Sequence, residues 1–214
     1  MDVSRQETTD DVERGPRART RRLMLDTATR LMQGGAVPSV SDVAEAARVS
    51  RATAYRYFPS QAALVHAVVD EALGPILNWA SDSRDARVRV DGLLRTSLPR
   101  IEAFEATFRS ALKHALEEWA QRQAGLDGPE PRFTRGHRVT LLRSALAPLA
   151  SSMPPASVER LAMALSLMFG IEALVVLKDI WGMDGGEASE VVRWAAAMLV
   201  EGAANATRHG ADGA

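Results

Sequence analysis

At 214 residues the chain is long enough for one or two domains and too short for three. Apolar residues make up 46%, which excludes disorder along the whole length, and the absence of cysteine excludes disulfides and thiolate metal sites. Net charge is −1, but its distribution is uneven: residues 12–60 hold nine Arg against four acids, so a basic N-terminal module precedes a mildly acidic body. The four histidines are scattered without metal-ligand spacing, so no metal and no cofactor are expected. The first 22 residues lack an apolar signal-peptide core. The longest apolar run, Trp194 to Val200, falls far short of the ~20 residues of a membrane span. A cytoplasmic protein without a membrane partner is expected.

Residues 1–16 are polar and predict a flexible arm ending at Gly15-Pro16. From Arg17 the pattern turns helical, with Met24, Ala28, Leu31 and Met32 on one face, and Gly34-Gly35 ends that helix. Ser39 and Asp42 form a capping-box pattern opening a short helix from Val40 to about Ala47. Arg48-Val49 makes a tight turn, and Ser50 caps a third helix from Arg51 to about Tyr57. Phe58-Pro59 breaks it, and Ser60 caps a fourth helix running from Gln61 towards Trp79, kinked at Gly74-Pro75.

The body also reads as helices, at about 84–97, 99–122, 137–150, 157–180 and 187–207. Pro99 is placed as a first helical residue. Residues 123–136 and 151–155 read as loops, and Gly182 to Gly186 as a turn. No stretch shows sustained β alternation, so the expected class is all-α.

Residues 39–58 carry the strongest chemical signal. Two short helices joined by a turn of about three residues, the second small, basic and aromatic, make a helix-turn-helix. Arg51 and Tyr55 stand at i, i+4 and share one face, while Ala54 and Phe58 share an inward face. Ala52 is small enough for close approach to DNA. Thr53, Tyr55 and Tyr57 offer hydroxyls to phosphate, Arg56 adds charge, and Ser50 opens the positive end of the helix dipole. The arginines at 14, 17, 19, 21 and 22 are either an exposed helix face or a DNA-contacting arm.

Residues 22–68 resemble the DNA-binding domain of the TetR family of bacterial transcriptional regulators. The resemblance is carried by Met24-Leu25-Asp26-Thr27-Ala28, by Ser39-Val40-Ser41-Asp42-Val43-Ala44, and by the run from Ala47 through Thr53-Ala54-Tyr55-Arg56-Tyr57-Phe58 to Leu64. It implies a three-helix DNA-binding domain over 17–60 and a helical effector-binding and dimerisation domain over 61–214. It also implies that Arg51 reads bases and that Thr53, Tyr55 and Tyr57 hold phosphates. Ser39, Arg48, Ser50, Ala52, Arg56 and Gln61 complete the expected DNA-binding set. Two residues depart from the family pattern. Arg48 replaces the usual turn glycine, at a cost of roughly 1–2 kcal/mol if positive φ is kept. Gln61 replaces the usual lysine and offers phosphate an uncharged amide.

The body carries no motif of comparable strength, and nothing in it resembles a nucleophile elbow, a P-loop or a zinc site. No enzyme is expected. Trp79, Phe104, Phe108 and Trp119 either line an effector pocket or pack as core, with Arg109, His114 and Glu172 as polar candidates. The last two helices are rich in Ala, Leu, Val and Met. Leu165, Met168, Phe169, Val176, Trp194, Ala197, Met198 and Glu201 are the expected dimer-interface residues. The expectation is therefore a homodimeric regulator, a repressor, that binds a palindromic operator in double-stranded DNA and responds to a small hydrophobic effector. Two alternatives stand beside it. One is a helical enzyme or small-molecule carrier whose DNA module has lost function; the other is an activator or corepressor-dependent regulator of the same fold.

Overall fold

The computed structural model describes residues 15–126 and 136–211. The helices are α1 (Pro16–Gln33), α2 (Val40–Ala46), α3 (Arg51–Tyr57), α4 (Gln61–Leu73), α5 (Ala86–Ala103), α6 (Glu105–Gln123), α7 (His137–Leu146), α8 (Pro155–Ser166), α9 (Ile171–Leu174) and α10 (Gly185–Ala211). No strand occurs among the described residues, so the class is all-α. The expected arm at 1–16 lies outside the described residues except for its last two, and Pro16 already opens α1. Most of the expected loop at 123–136 also lies outside them.

Two compact units divide the chain. The first comprises residues 1–71 and 106–134; the second comprises residues 72–105 and 135–214. The first unit thus takes in α4 to Glu71 and nearly all of α6, beyond the 17–60 span read from the sequence.

The first unit is organised around one apolar cluster. Met24, Ala28 and Met32 of α1, Val40 and Val43 of α2, Ala54 and Phe58 at α3, and Leu64, Val65 and Val68 of α4 are all buried in it. From α6, Ala111 joins the cluster, and Ser110 Oγ donates to the Met32 carbonyl at 3.0 Å. That bond satisfies a carbonyl in the last turn of α1, where helical partners run out.

In the second unit, α10 lays the stripe Ala188, Val192, Ala196 and Val200 inward, one residue per turn. It packs on α5 and α8, and α7 packs on α5 and α8. Leu93, Leu98, Leu142, Leu146 and Leu165 fill the core between them. The helix expected to run from Gln61 towards Trp79 ends at Leu73, and a 3₁₀ turn follows over Gly74–Asn78. Gly74 has φ +46, and the Arg100 guanidinium lies where its side chain would be.

Two body helices differ from the sequence reading. Pro99 does not start a helix but lies inside α5, which runs on to Ala103. The missing proline N–H removes one ladder bond, and burial of Leu94, Leu98 and Ile101 on either side holds the helix together. The helix expected at 157–180 is broken. Its segments α8 and Ile171–Ile180 differ in direction by 49°. Gly170 sits between them at φ +148, where a Cβ would run into the Arg138 guanidinium. Arg138 donates to the Ser166 carbonyl at 2.9 Å and to Glu172 Oε2 at 2.6 Å. The apolar periodicity runs unbroken across this break, and only the glycine marks it. Val175–Ile180 then winds as a π-helix.

Helix ends explain the turns of the first unit. α1 closes with Gly35 at φ +82, its N–H bonded to Met32 and that of Ala36 to Leu31. This is a Schellman motif with glycine in its left-handed position. α2 closes in the same way with Arg48 in that position: Arg48 N–H bonds Glu45 and Val49 N–H bonds Ala44. Arg48 is the non-glycine residue with positive φ among those described, at +54. Arg48→Gly should relieve about 1–2 kcal/mol of strain, offset by about 0.5–1 kcal/mol of glycine entropy. Chemical denaturation should therefore show a net gain of roughly 0.5–1 kcal/mol, and a loss of stability would contradict the strain.

Candidate nucleic-acid interface

The site begins with the caps that fix two short helices. Ser39 Oγ accepts from the Asp42 N–H at 3.1 Å, and Asp42 Oδ2 accepts from the Ser39 N–H at 2.8 Å. That reciprocal pair opens α2. The Ser39 bonds hold the Asp42 carboxyl below its ordinary pKa, with a smaller contribution from the Arg51 charge. Ser50 Oγ accepts from the Thr53 N–H at 3.2 Å and opens α3. The Ser50 hydroxyl also donates to Thr53 Oγ1 at 2.9 Å.

α3 has seven residues, too few to be stable alone. It persists because Ala54 and Phe58 are buried in the cluster shared with α1, α2 and α4. Its outer surface is then fixed: Arg51, Ala52, Tyr55 and Arg56 are exposed, while Thr53 and Tyr57 are half-buried. Tyr55 is 44% exposed, with its hydroxyl 3.4 Å from Ser41 Oγ on α2. The Arg56 guanidinium lies 5.5 Å from the Tyr57 ring centroid. Arg48 is exposed at the turn. The result is a polar, hydroxyl-rich and cationic face on a helix whose opposite face is fully apolar.

The expected residues therefore differ in placement. Arg48, Arg51, Ala52, Tyr55 and Arg56 present themselves outward together. Ser39 and Ser50 serve as caps. Gln61 is engaged inward: its Nε2 donates to the carbonyls of Val37 and Pro38, both at 3.2 Å. The amide nitrogen is thereby engaged with the loop before α2, so Gln61 holds that loop. The Ser41–Tyr55 contact was not visible in the sequence, because nothing in the spacing of residues 14 apart marks it.

The expected effector residues have mixed surroundings. Within the first unit Phe108 is buried, Arg109 is half-buried, and His114 is buried with Nε2 3.6 Å from Glu118. Trp119 is 55% exposed, so it lines no enclosed cavity in its unit. Within the second unit, Trp79 is half-buried and stacks under Arg89 at 5.8 Å, and Phe104 packs under Arg100 at 4.9 Å. Glu172 is engaged by Arg138.

Of the expected interface residues, Leu165 and Phe169 point into the core of their own unit. Met168 and Ala197 are half-buried, and Glu201 pairs with Arg87. Val176, Trp194 and Met198 are exposed. Leu167 at the end of α8 and Ile180 and Trp181 beyond the break are exposed as well, which the continuous-helix reading did not single out.

Comparison with known proteins bears on the same segment. Residues 24–68 match the model of the bacterial regulatory proteins of the tetR family. Over 61 residues the chain is 38% identical to the HTH-type transcriptional repressor LfrR of Mycolicibacterium smegmatis. That match covers 28% of this chain and 32% of the relative, so the chain spans about a third of the curated protein it matches. A tetR-family transcriptional regulator from Streptomyces coelicolor shares the fold with TM-score 0.59 at 16% identity, over 88% of this chain and 83% of that one. A chain from Shewanella sp. PV-4 assigned to the same family gives 0.50 at 17% identity, over 83% and 97%.

The Asp42 shift has a definite sign. Its carboxyl titrates lower in the folded chain than in the unfolded one. Its contribution to stability is therefore present above the unfolded value of about 3.9 and is lost as pH falls through the folded value. Asp42→Asn should flatten that part of the acid unfolding profile, while Ser39→Ala should cost about 1 kcal/mol at neutral pH. An unchanged acid profile in Asp42→Asn would remove the assignment.

Proposed function

Since the chain belongs, through residues 24–68, to the tetR family of bacterial regulatory proteins, we propose that it is a transcriptional repressor that binds a palindromic DNA operator as a homodimer. The observation that carries this reading is the outward face of α3, with Arg51 and Tyr55 side by side on a helix anchored through Ala54 and Phe58. Such a helix enters the major groove with its first residues against base edges. Arg51 is assigned to a base, and guanine is the partner that its fork fits best. Tyr55, Tyr57, Thr53 and Arg48 are assigned to the sugar-phosphate backbone. LfrR carries the word repressor in its name, and that supports repression over activation here.

Dimerisation is assigned to the second unit. Leu167, Ile180, Trp181 and Trp194, on its helices and the segment between them, are 76%, 75%, 70% and 65% exposed and are the large apolar side chains offered to a partner copy. A two-fold interface over this face would bury it against itself. To the body over 61–214 we also assign a small hydrophobic effector, with Phe108, Arg109, His114 and Trp119 of the first unit and Trp79, Phe104 and Glu172 of the second as its candidate residues. An effector that prefers the DNA-incompetent state lowers DNA affinity by linkage. The reading places the protein in the cytoplasm with the chromosome, and no single helix among the described residues is long and apolar enough to cross a membrane.

Two measurements test the reading. Selection of bound duplexes from a random pool should yield an inverted repeat for the wild type. Arg51→Ala should lose about 1–3 kcal/mol of discrimination at one position per half-site, whereas Tyr57→Phe should weaken all sequences alike. An unchanged sequence preference in Arg51→Ala would overturn the base-reading role. In sedimentation, the wild type should be dimeric at micromolar concentration and Trp194→Glu with Leu167→Glu monomeric but folded. Phe169→Glu should instead unfold the unit, because Phe169 is core. A monomeric wild type would overturn the dimer.

A further inference from the structure

The first turns of α1 carry a cationic surface that the helix-turn-helix reading does not use. Arg17, Arg19 and Arg21 are all exposed, and none has an ion-pair partner among the described residues. They line one open cleft together with Tyr57 from the end of α3. The Arg21 guanidinium stands 5.5 Å from the Phe58 ring centroid, which places it at the C-terminal end of the reading helix. The acids along the same cleft are already engaged. Asp70 pairs with His66 at 3.0 Å, and Glu71 pairs with Arg22 Nη1 at 2.7 Å. Arg22 also holds Asp26 at 3.0 Å. Of four neighbouring arginines, then, one is neutralised by two carboxylates and three pair with no carboxylate among the described residues.

Three guanidiniums within five residues of helix, unpaired among the described residues, repel one another, and a string of fixed anions relieves that repulsion. Their polar partner must be anionic, must reach a surface continuous with Tyr57, and must present several charges in a row. Duplex DNA lying along α3 meets all three conditions, because it carries one charge per ~1.7 Å of axis. We propose that Arg17, Arg19 and Arg21 form a second phosphate-binding row, which holds the DNA backbone flanking the segment read by α3. This rests on the DNA-binding reading above. The row touches phosphate and no base edge, so it adds affinity to every sequence equally and sets the register of α3 in the groove.

The test is the salt dependence of binding by the full chain to a mixed-sequence duplex of about 30 base pairs, followed by fluorescence anisotropy between about 50 and 200 mM KCl. The combined variant Arg17→Gln, Arg19→Gln, Arg21→Gln keeps helix propensity and removes three charges. The slope of log affinity against log salt should fall in magnitude by about 2–3, or roughly 0.9 for each phosphate no longer neutralised. Affinity near 200 mM KCl should fall by about tenfold or more. The ratio between a selected duplex and the mixed one should stay the same. The matching Lys substitutions, which keep charge at all three positions, should restore the slope. Arg22→Gln should leave it as in the wild type. A wild-type slope in the folded Gln variant overturns the row. So does a Gln variant that loses thermal protection by inorganic phosphate while its duplex binding is unaltered, since the cleft then holds a free anion. A wild type that binds no duplex at about 50 mM KCl overturns the DNA-binding reading itself, and is told apart because no variant is needed to see it.

Discussion

The burial of Ala54 and Phe58 is the constraint on which the rest of the first unit depends. α3 is only two turns long and has no stability of its own. Seating its inner face among Met24, Val43, Leu64 and Val65 fixes both its axis and its rotation. Once the rotation is fixed, Arg51, Ala52 and Tyr55 must face outward, because they lie on the remaining arc of the helix. The polar contacts refine that placement. Ser50 sets where α3 begins, the Schellman turn at Arg48 sets how it leaves α2, and Tyr55 reaches across to Ser41.

The turn at Arg48 shows a local cost accepted for geometry. The chain must reverse direction within three residues, and the 6→1 and 5→2 bonds of the cap require a left-handed residue. α1 places glycine in the equivalent position, with no steric penalty. α2 places an arginine there, gaining a cation at the exposed turn beside the reading helix. Strain held in this way beside a binding surface has a function only if the charge meets phosphate, as the proposed operator contact requires.

The helices of the helix-turn-helix were legible in the sequence because their signals are local, whereas the share of α6 in the first unit was not. Caps at Ser39, Ser50 and Ser60 fall within three residues of the groups they bind, and the apolar spacing of Met24 to Met32 names its own face. At Arg48 only the family resemblance, with its glycine at that turn, raised a positive φ, and the structure has it at +54. The body was less legible because its decisive contacts are distant. Arg138, 34 residues from Glu172, clamps the break at Gly170, and no periodicity anticipates an ion pair over a bare glycine. Pro99 misled in the opposite direction, since burial on both sides carries α5 through a residue that usually ends a helix. In the site, Gln61 has the position of a phosphate donor, but its amide is engaged with the Val37 and Pro38 carbonyls. Composition cannot distinguish an inward amide from an outward one.

The central claim is that α3, held by its buried face, is the element that meets DNA. Hydrogen–deuterium exchange of the full chain, with and without saturating duplex, tests it most directly. The account predicts that residues 51–57 slow most on DNA addition, with residues 17–21 following. DNA binding that leaves both segments unchanged while slowing exchange only in the second unit would contradict it.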